Sequence, residues 1–215
     1  MRETLSLTQV KNWLKIFSVS IITISDELNL LDSATGDGEH GSNLSVGAHS
    51  ILEYVELVPV ETIGQFFEGV GMIIVNSVGG ASGALYGTLF LRLGKVSGDK
   101  TEMDLQLLSE SFNYARSGIS ELGRVKAGDK TLFDALNPAV EIFLSGASSG
   151  KSLRAAISEA RIAADQGRAG TAIMEARIGR GSYQQQRSIG HIDPGATSMA
   201  KLFEALDATV PKFEY

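Results

Sequence analysis

Asp32, Asp37 and Glu39 place three carboxylates within eight residues, on a stretch loosened by Gly36, Gly38 and Gly41. Carboxylates this close repel one another unless a cation lies between them, and hard oxygen donors suit Mg2+ or Ca2+. Asp32 is expected at a helix end, while Asp37 and Glu39 alternate along an extended loop, so all three can face one pocket. Neighbouring glycines let backbone N–H groups come close to a bulky anion, as in a polyphosphate cradle. Metal and polyphosphate together are the ingredients of phosphoryl transfer. Taken alone, the same stretch also reads as a solvated acidic turn, because Asp and Gly favour turns.

Three further segments carry polar groups of the right kind. Gly79-Gly80-Ala81-Ser82-Gly83 offers a tight turn, a hydroxyl and the free N–H groups of a following helix start. Gly128-Asp129-Lys130-Thr131 reads as a helix cap at Asp129, with Lys130 near enough to neutralise phosphate. The irregular stretch 179–195 contains Arg180 and Arg187, either of which can grip phosphate bidentately, and ends in Asp193-Pro194-Gly195. Tyr183, Ile189 and Ile192 give that stretch apolar anchors, so it reads as an ordered functional loop.

The elements that must position these segments are helices. Apolar residues at Val10, Trp13, Leu14, Phe17, Ile21, Ile24, Leu28 and Leu31 recur at spacings of three and four, predicting one long helix with Thr8 as its cap. Further helices are expected over 43–58, from 61 through Ile74, and over 84–93, 104–122, 131–144, 152–166, 171–178 and 195–208. The glycine run 79–83 is expected to interrupt the pattern, and 146–150 to form a small-residue linker. Prolines at 59, 138 and 194 fall near the expected helix ends. The fold class is therefore all-α, about eight antiparallel helices with short connections in a single domain over 1–215. The 24 glycines concentrate around 36–41, 79–87, 123–128 and 179–195. In an up-and-down bundle every second loop emerges at the same end, so these four can meet on one rim.

Composition narrows the class. A hydrophobic share of 43% and a charged share of 20% are those of a globular protein, and a net charge of −6 argues against a nucleic-acid partner. Zero cysteines exclude disulfides, thiolate metal sites and a cysteine nucleophile, and fit a reducing cytoplasm. The N-terminus shows no signal pattern, and no apolar run approaches the roughly 20 residues that cross a bilayer.

Taken in order, the motifs Leu31-Asp32-x3-Gly36-Asp37-Gly38-Glu39-His40-Gly41-x-Asn43, Gly79-Gly80-Ala81-Ser82-Gly83-x-Leu85-Tyr86-Gly87, Gly128-Asp129-Lys130-Thr131 and Ser188-Ile189-Gly190-His191-Ile192-Asp193-Pro194-Gly195-Ala196 resemble the DhaL (DAK2 domain) family of dihydroxyacetone kinase subunits. The resemblance spans essentially the whole chain. It implies an antiparallel eight-helix barrel with ADP or ATP at one end and two Mg2+ ions held by Asp32, Asp37 and Glu39. It further implies nucleotide contacts from His40, Gly41, Ser42, Asn43, Ala81, Ser82, Gly123, Leu132, Arg180, Asp193, Pro194 and Gly195. Ser82 and Asn43 would face phosphate, with Leu132 and the Gly123 region beside adenine.

Two departures stand out. Glu39 replaces the family's usual Asp, and Tyr183-Gln184-Gln185-Gln186-Arg187 replaces a Tyr-Leu-Gly-Glu-Arg pattern. The activity implied is Mg2+-dependent phosphoryl transfer to dihydroxyacetone or a related short ketose held on a separate DhaK-like subunit. A DhaM-like phosphotransferase subunit or a transcriptional regulator is a further partner the family suggests. Two rival readings are an ATP-binding subunit for another acceptor, such as a fatty acid, and a nucleotide-loaded regulatory module without turnover.

Overall fold

The computed structural model describes residues 3–210. Its first helix, α1 (Leu7–Thr23), starts at Ser6. The Ser6 hydroxyl accepts from the Gln9 amide while the Gln9 side chain accepts from the Ser6 amide, a reciprocal cap one turn deep. Ser6, not Thr8, is thus the cap. The expected long first helix is also divided. The backbone leaves helical geometry at Ile24 (φ −101°, ψ 15°), and a short α2 (Ser25–Ser33) follows. The break lets α3 (His40–Leu57) cross α2 closely: a Cβ on Gly41 would lie 1.9 Å from the Ser25 carbonyl oxygen.

The remaining helices are α4 (Ile63–Ser77), α5 (Gly80–Ser97), α6 (Leu105–Gly123), α7 (Phe133–Ser149), α8 (Leu153–Gly170) and α9 (Pro194–Thr209). Strands β1 (Leu5–Ser6) and β2 (Glu102–Met103) form a two-residue antiparallel ribbon, Leu5 opposite Met103. Thr62, Asp104, Ser152 and Asp193 each accept an amide proton of the first turn that follows them, as caps should.

Several expected boundaries move. α3 begins at His40 rather than Asn43. α5 begins at Gly80, so the glycine run is its first turn and not an interruption. α7 starts at Phe133 and continues through Gly146 to Ser149, absorbing the expected linker. Pro138 lies inside α7, not near its end. Lacking an N–H, Pro138 leaves the Asp134 carbonyl without its helical donor. That carbonyl faces Gly167 of α8, where a Cβ would sit 2.0 Å from its oxygen.

The expected helix 171–178 does not form. A single 3-10 turn (Thr171–Ile173) gives way to extended backbone at Met174. The Thr171 carbonyl closes that turn by accepting from the Met174 amide, and both it and the Met174 carbonyl accept from the Lys130 ammonium. A second 3-10 segment (Arg180–Ser188) follows.

α1, α3, α4, α5, α6, α7, α8 and α9 pack in that order, and α9 returns against α1, so eight helices close a ring with α2 set against α3 and α9. The expectation of an all-α eight-helix barrel holds. Its centre is aromatic and drawn from six helices: Trp13, Phe66, Phe67, Phe90, Phe112, Phe143 and Phe203 are all buried. Trp13 meets Phe67 and Phe112 at 5.9 and 6.0 Å between ring centroids, and Phe112 meets Phe143 and Phe203 at 5.4 Å each. The Trp13 indole N–H donates to the Leu202 carbonyl at 2.8 Å, tying α1 to α9 where the ring closes. Among the described residues no helix is long and apolar enough to cross a membrane.

Two stability predictions follow from this packing. Gly167→Ala forces a methyl onto the Asp134 carbonyl and should lower stability by about 1–3 kcal/mol in urea melts. Gln185, standing where the resemblance expects glycine, has φ 52° and ψ −131°, a conformation that only glycine adopts without strain. Gln185→Gly should therefore stabilise the chain by about 1 kcal/mol, against the usual cost of adding a glycine. An unchanged or lower denaturation midpoint would contradict it.

Candidate functional site

Four connections lie at one end of the ring: residues 34–39 before α3, 78–79 before α5, 124–132 before α7 and 171–193 before α9. Together they border a cleft of about 530 Å3. Four helix starts border it, and the positive ends of their dipoles favour an anion there. The α5 start is shaped for this role, since Gly79, Gly80, Ala81 and Ser82 leave its first turn open to the cleft.

One wall is acidic. Asp32, Asp37 and Glu39 all line it, with Asp37 and Glu39 exposed. One oxygen of Asp32 accepts from the Gly38 and Glu39 amides at 2.9 and 3.0 Å, which folds the loop back onto the end of α2. Gly36 is required there, because a Cβ would fall 2.2 Å from the other Asp32 oxygen. Arg180 reaches across from the long connection and pairs with Asp37. Leu85, Leu122, Val125, Leu132 and Ile178 contribute apolar lining to the same cleft.

His40, Asn43, Ala81, Gly123, Pro194 and Gly195, for which the resemblance implies nucleotide contacts, also line the cleft. Gly41 and Ser42 do not. Gly41 is buried against Ser25, and Ser42 exchanges two hydrogen bonds with the Asn29 side chain at 2.8 and 3.0 Å. Asp129 is not the cap of α7, a place taken by Leu132; its buried carboxylate accepts from the Lys126 amide. Asp134 gathers the amides of Gly128 and Thr131 instead.

Lys130 likewise differs from expectation. Its ammonium is buried at the cleft floor and donates to the carbonyls of Thr171, Met174, Ser188 and His191 at 2.6–3.1 Å. With three protons for four carbonyls, its donor capacity is spent on holding the 171–193 connection. Burial holds the Lys130 pKa below its ordinary value, partly offset by the charge of Asp193.

One residue emerges that the sequence did not single out, Ser198, and another, Tyr86, entered only as a motif position without a role; both lie on buried faces, of α9 and α5. The Ser198 hydroxyl lies 2.9 Å from His40 Nε2 and 2.8 Å from the Tyr86 hydroxyl, and Ser82 Oγ lies 3.2 Å from His40 Nδ1. Burial lowers the His40 pKa from 6.5 to about 4, so its imidazole is neutral at physiological pH.

Asp193 is the fourth carboxyl of the cleft. Burial raises its pKa from 3.8 to about 7; the Ala196 amide and Lys130 act against the shift, while Asp134 and Asp32 add to it. Burial is the chief cause of that shift, and a divalent cation nearby would favour the charged carboxylate of Asp193. Hard oxygens on one wall fit Mg2+ in kind. Among the described residues, however, no three Asp, Glu or His side chains gather around one point.

His40 and Asp193 drive stability in opposite directions across one pH range. The depressed His40 pKa means that stability present above pH 6.5 is lost as pH falls toward 4. The raised Asp193 pKa means that stability present below pH 3.8 is lost as pH rises toward 7. In metal-free protein, His40→Gln should gain on the parent as pH falls through this window, and Asp193→Asn should gain as it rises. Denaturant melts across the window check both, and parallel stability curves for parent and variants would contradict them.

Comparison with known proteins agrees with this architecture. The family model for the DAK2 domain matches residues 34–208. The chain is 36% identical over 203 residues to the ADP-binding subunit DhaL of the PEP-dependent dihydroxyacetone kinase of Escherichia coli (strain K12), covering 94% of this chain and 97% of that one. It is 32% identical over 188 residues to the triokinase/FMN cyclase of Mus musculus, covering 87% of this chain but 32% of the mouse protein. The crystal structure of the dihydroxyacetone kinase of C. freundii in complex with AMP-PNP and Mg2+ shares the fold, with a TM-score of 0.73 at 22% identity over 98% of this chain. This chain spans 35% of that kinase. The chain belongs to the DAK2 domain family.

Proposed function

We propose that this chain is the nucleotide-binding subunit of a cytoplasmic dihydroxyacetone or short-ketose kinase, a phosphotransferase that acts on a substrate held by a separate DhaK-like subunit. The observation that carries the reading is the set of chemistries that border one cleft: the acidic residues Asp32, Asp37 and Glu39, the glycine-rich start of α5, and the apolar side chains Leu85, Leu122 and Leu132. These are the surroundings that a divalent cation, phosphates and an adenine ring each require. Relatives named as ADP-binding DhaL subunits, matched along nearly their whole length, support the same reading.

Asp32, Asp37 and Glu39 would hold Mg2+, two ions by the family resemblance, which would neutralise charge on the phosphoryl group being transferred. Ala81, Ser82, Asn43 and the helix-start amides would bind phosphate oxygens. Arg180, released from Asp37, has the reach and the fork of donors to add a bidentate grip. His40, Gly123, Leu132 and Asp193 to Gly195 would complete the nucleotide's surroundings, with Gly41 and Ser42 acting from behind by shaping the α2–α3 crossing. A DhaM-like subunit is a candidate phosphate donor, since the bacterial relatives are named for PEP or phosphotransferase dependence.

The test has two readouts. Isothermal titration of the chain with ADP should show binding that requires Mg2+, and Asp37→Ala should weaken it about 10- to 100-fold, the worth of one charged contact, with helicity unchanged. Unchanged ADP affinity in that variant would refute the cation assignment. With a DhaK-like subunit added, ATP or a phosphorylated DhaM-like subunit should phosphorylate dihydroxyacetone or erythrulose. Tight Mg2+-dependent nucleotide binding without transfer to either ketose would favour a nucleotide-loaded regulatory module.

A further inference from the structure

The Ser198 hydroxyl has three polar neighbours and one proton to give. His40 Nε2 lies at 2.9 Å, the Tyr86 hydroxyl at 2.8 Å and the Gly195 carbonyl oxygen at 3.0 Å. Tyr86 is buried, and among the described residues its one hydrogen-bonded neighbour is Ser198, so the phenol must donate there or bury an unused proton. The Ser198 proton therefore has two destinations, the Gly195 carbonyl or His40 Nε2.

Each destination dictates what the cleft sees. If Ser198 donates to Gly195, the neutral His40 ring carries its proton on Nε2 and gives it to Ser198. Nδ1 is then bare and accepts from Ser82, which shows only lone pairs to the cleft. If Ser198 donates to Nε2, the ring proton sits on Nδ1 and is given to Ser82, whose own proton is free to point into the cleft. The first arrangement satisfies all four donors inside the protein, and the second leaves one donor for a ligand.

We propose that Ser198 is a positioning residue that sets, through the tautomer of His40, whether Ser82 offers the cleft an acceptor or a donor. The ligand-free protein holds the Nε2–H tautomer. A phosphate-type oxygen at the start of α5 draws the Ser82 proton outward and leaves His40 as the Nδ1–H tautomer. The change is neutral: one proton leaves Nε2 for water, one arrives at Nδ1 from water, and the hydroxyls turn. The inference rests on the nucleotide reading above for the identity of the anion, and on the hydrogen-bond chain alone for the relay.

Imidazole nitrogen NMR on histidine-labelled full chain tests it, with His40→Gln assigning the His40 signals. Wild-type protein should show Nε2 protonated without ligand and Nδ1 protonated with Mg2+ and ADP. Ser198→Ala should show Nδ1 protonated without ligand and bind ADP about fivefold tighter, the size of one net hydrogen bond no longer broken on binding. A purely structural serine would instead weaken binding when removed. Ser198→Thr should restore wild-type behaviour, and Ser198→Ala with Tyr86→Phe removes the orphaned phenol if the single variant fails to fold. A chain that takes no ADP by calorimetry overturns the nucleotide reading. A wild-type chain that binds ADP with the His40 tautomer unchanged, or a ligand-free Ser198→Ala variant that keeps Nε2–H, overturns the relay.

Discussion

One buried ammonium holds the cleft together. The connection from α8 to α9 is the long irregular stretch of the described chain, and it carries both Arg180 and Asp193 to the rim. Lys130 pins it through carbonyls at Thr171, Met174, Ser188 and His191. A charge taken out of water is costly unless its donors are satisfied, and here carbonyl dipoles supply the compensation, with Asp193 adding opposite charge nearby. Because the carbonyls come from both ends of the loop, a single cation brings together backbone segments that have no regular pairing of their own. The Arg177 amide adds a bond to the Asp129 carbonyl, and the Gly190 amide one to Ala172, so the base of the loop is fixed. Its tip, around exposed Tyr183, is tied mainly by local turns and by the Arg180–Asp37 pair.

The helices were legible because their apolar stripes are long and regular, and a stripe of that kind can do little except face a core. The errors have separate physical causes. Ile21, Ile24 and Leu28 keep helical phase across the break at Ile24, so nothing in the pattern announces it. Gly80, Ala81, Ser82 and Gly83 carry too little apolar surface to register as helix. They form one nonetheless, since Gly83 lets the first turn of α5 close on the Val78 carbonyl, 2.1 Å from where its Cβ would be. Thr171 to Ile178 has helix-compatible residues, but a lysine about forty residues earlier in the chain bonds the carbonyls of Thr171 and Met174, where the backbone turns extended. Local propensity was overridden by a tertiary contact in that case.

The candidate site was legible to the extent that its residues have chemistry of their own. Acidic side chains beside glycines, and glycines before helices, advertise a cation and an anion without any fold. The residues that act through others were not legible. Ser198 lies 158 positions from His40 and sits among Ala196, Met199 and Leu202 on a buried face, where a serine attracts no notice. Lys130 looked like a ligand for phosphate because lysine beside a glycine-rich turn usually has no better partner. What it does depends on four carbonyls that no spacing rule brings together.

Ring closure also explains how one domain serves chains of different length. α1 and α9 are neighbours, and the indole of Trp13 bonds across to α9. α1 runs toward the cleft and α9 away from it, so Ser6 and Val210 both lie at the far end, alongside the β1–β2 ribbon. Sequence joined at either side would leave from there without crowding the acidic wall, and the closed core would not change. The longer relatives, in which this domain makes up about a third of the chain, are compatible with that geometry. Any molecule that enters the cleft must approach from the loop end, past Arg180 and the exposed tip at Tyr183. The same loop that Lys130 anchors from below is therefore the surface such a molecule would meet first.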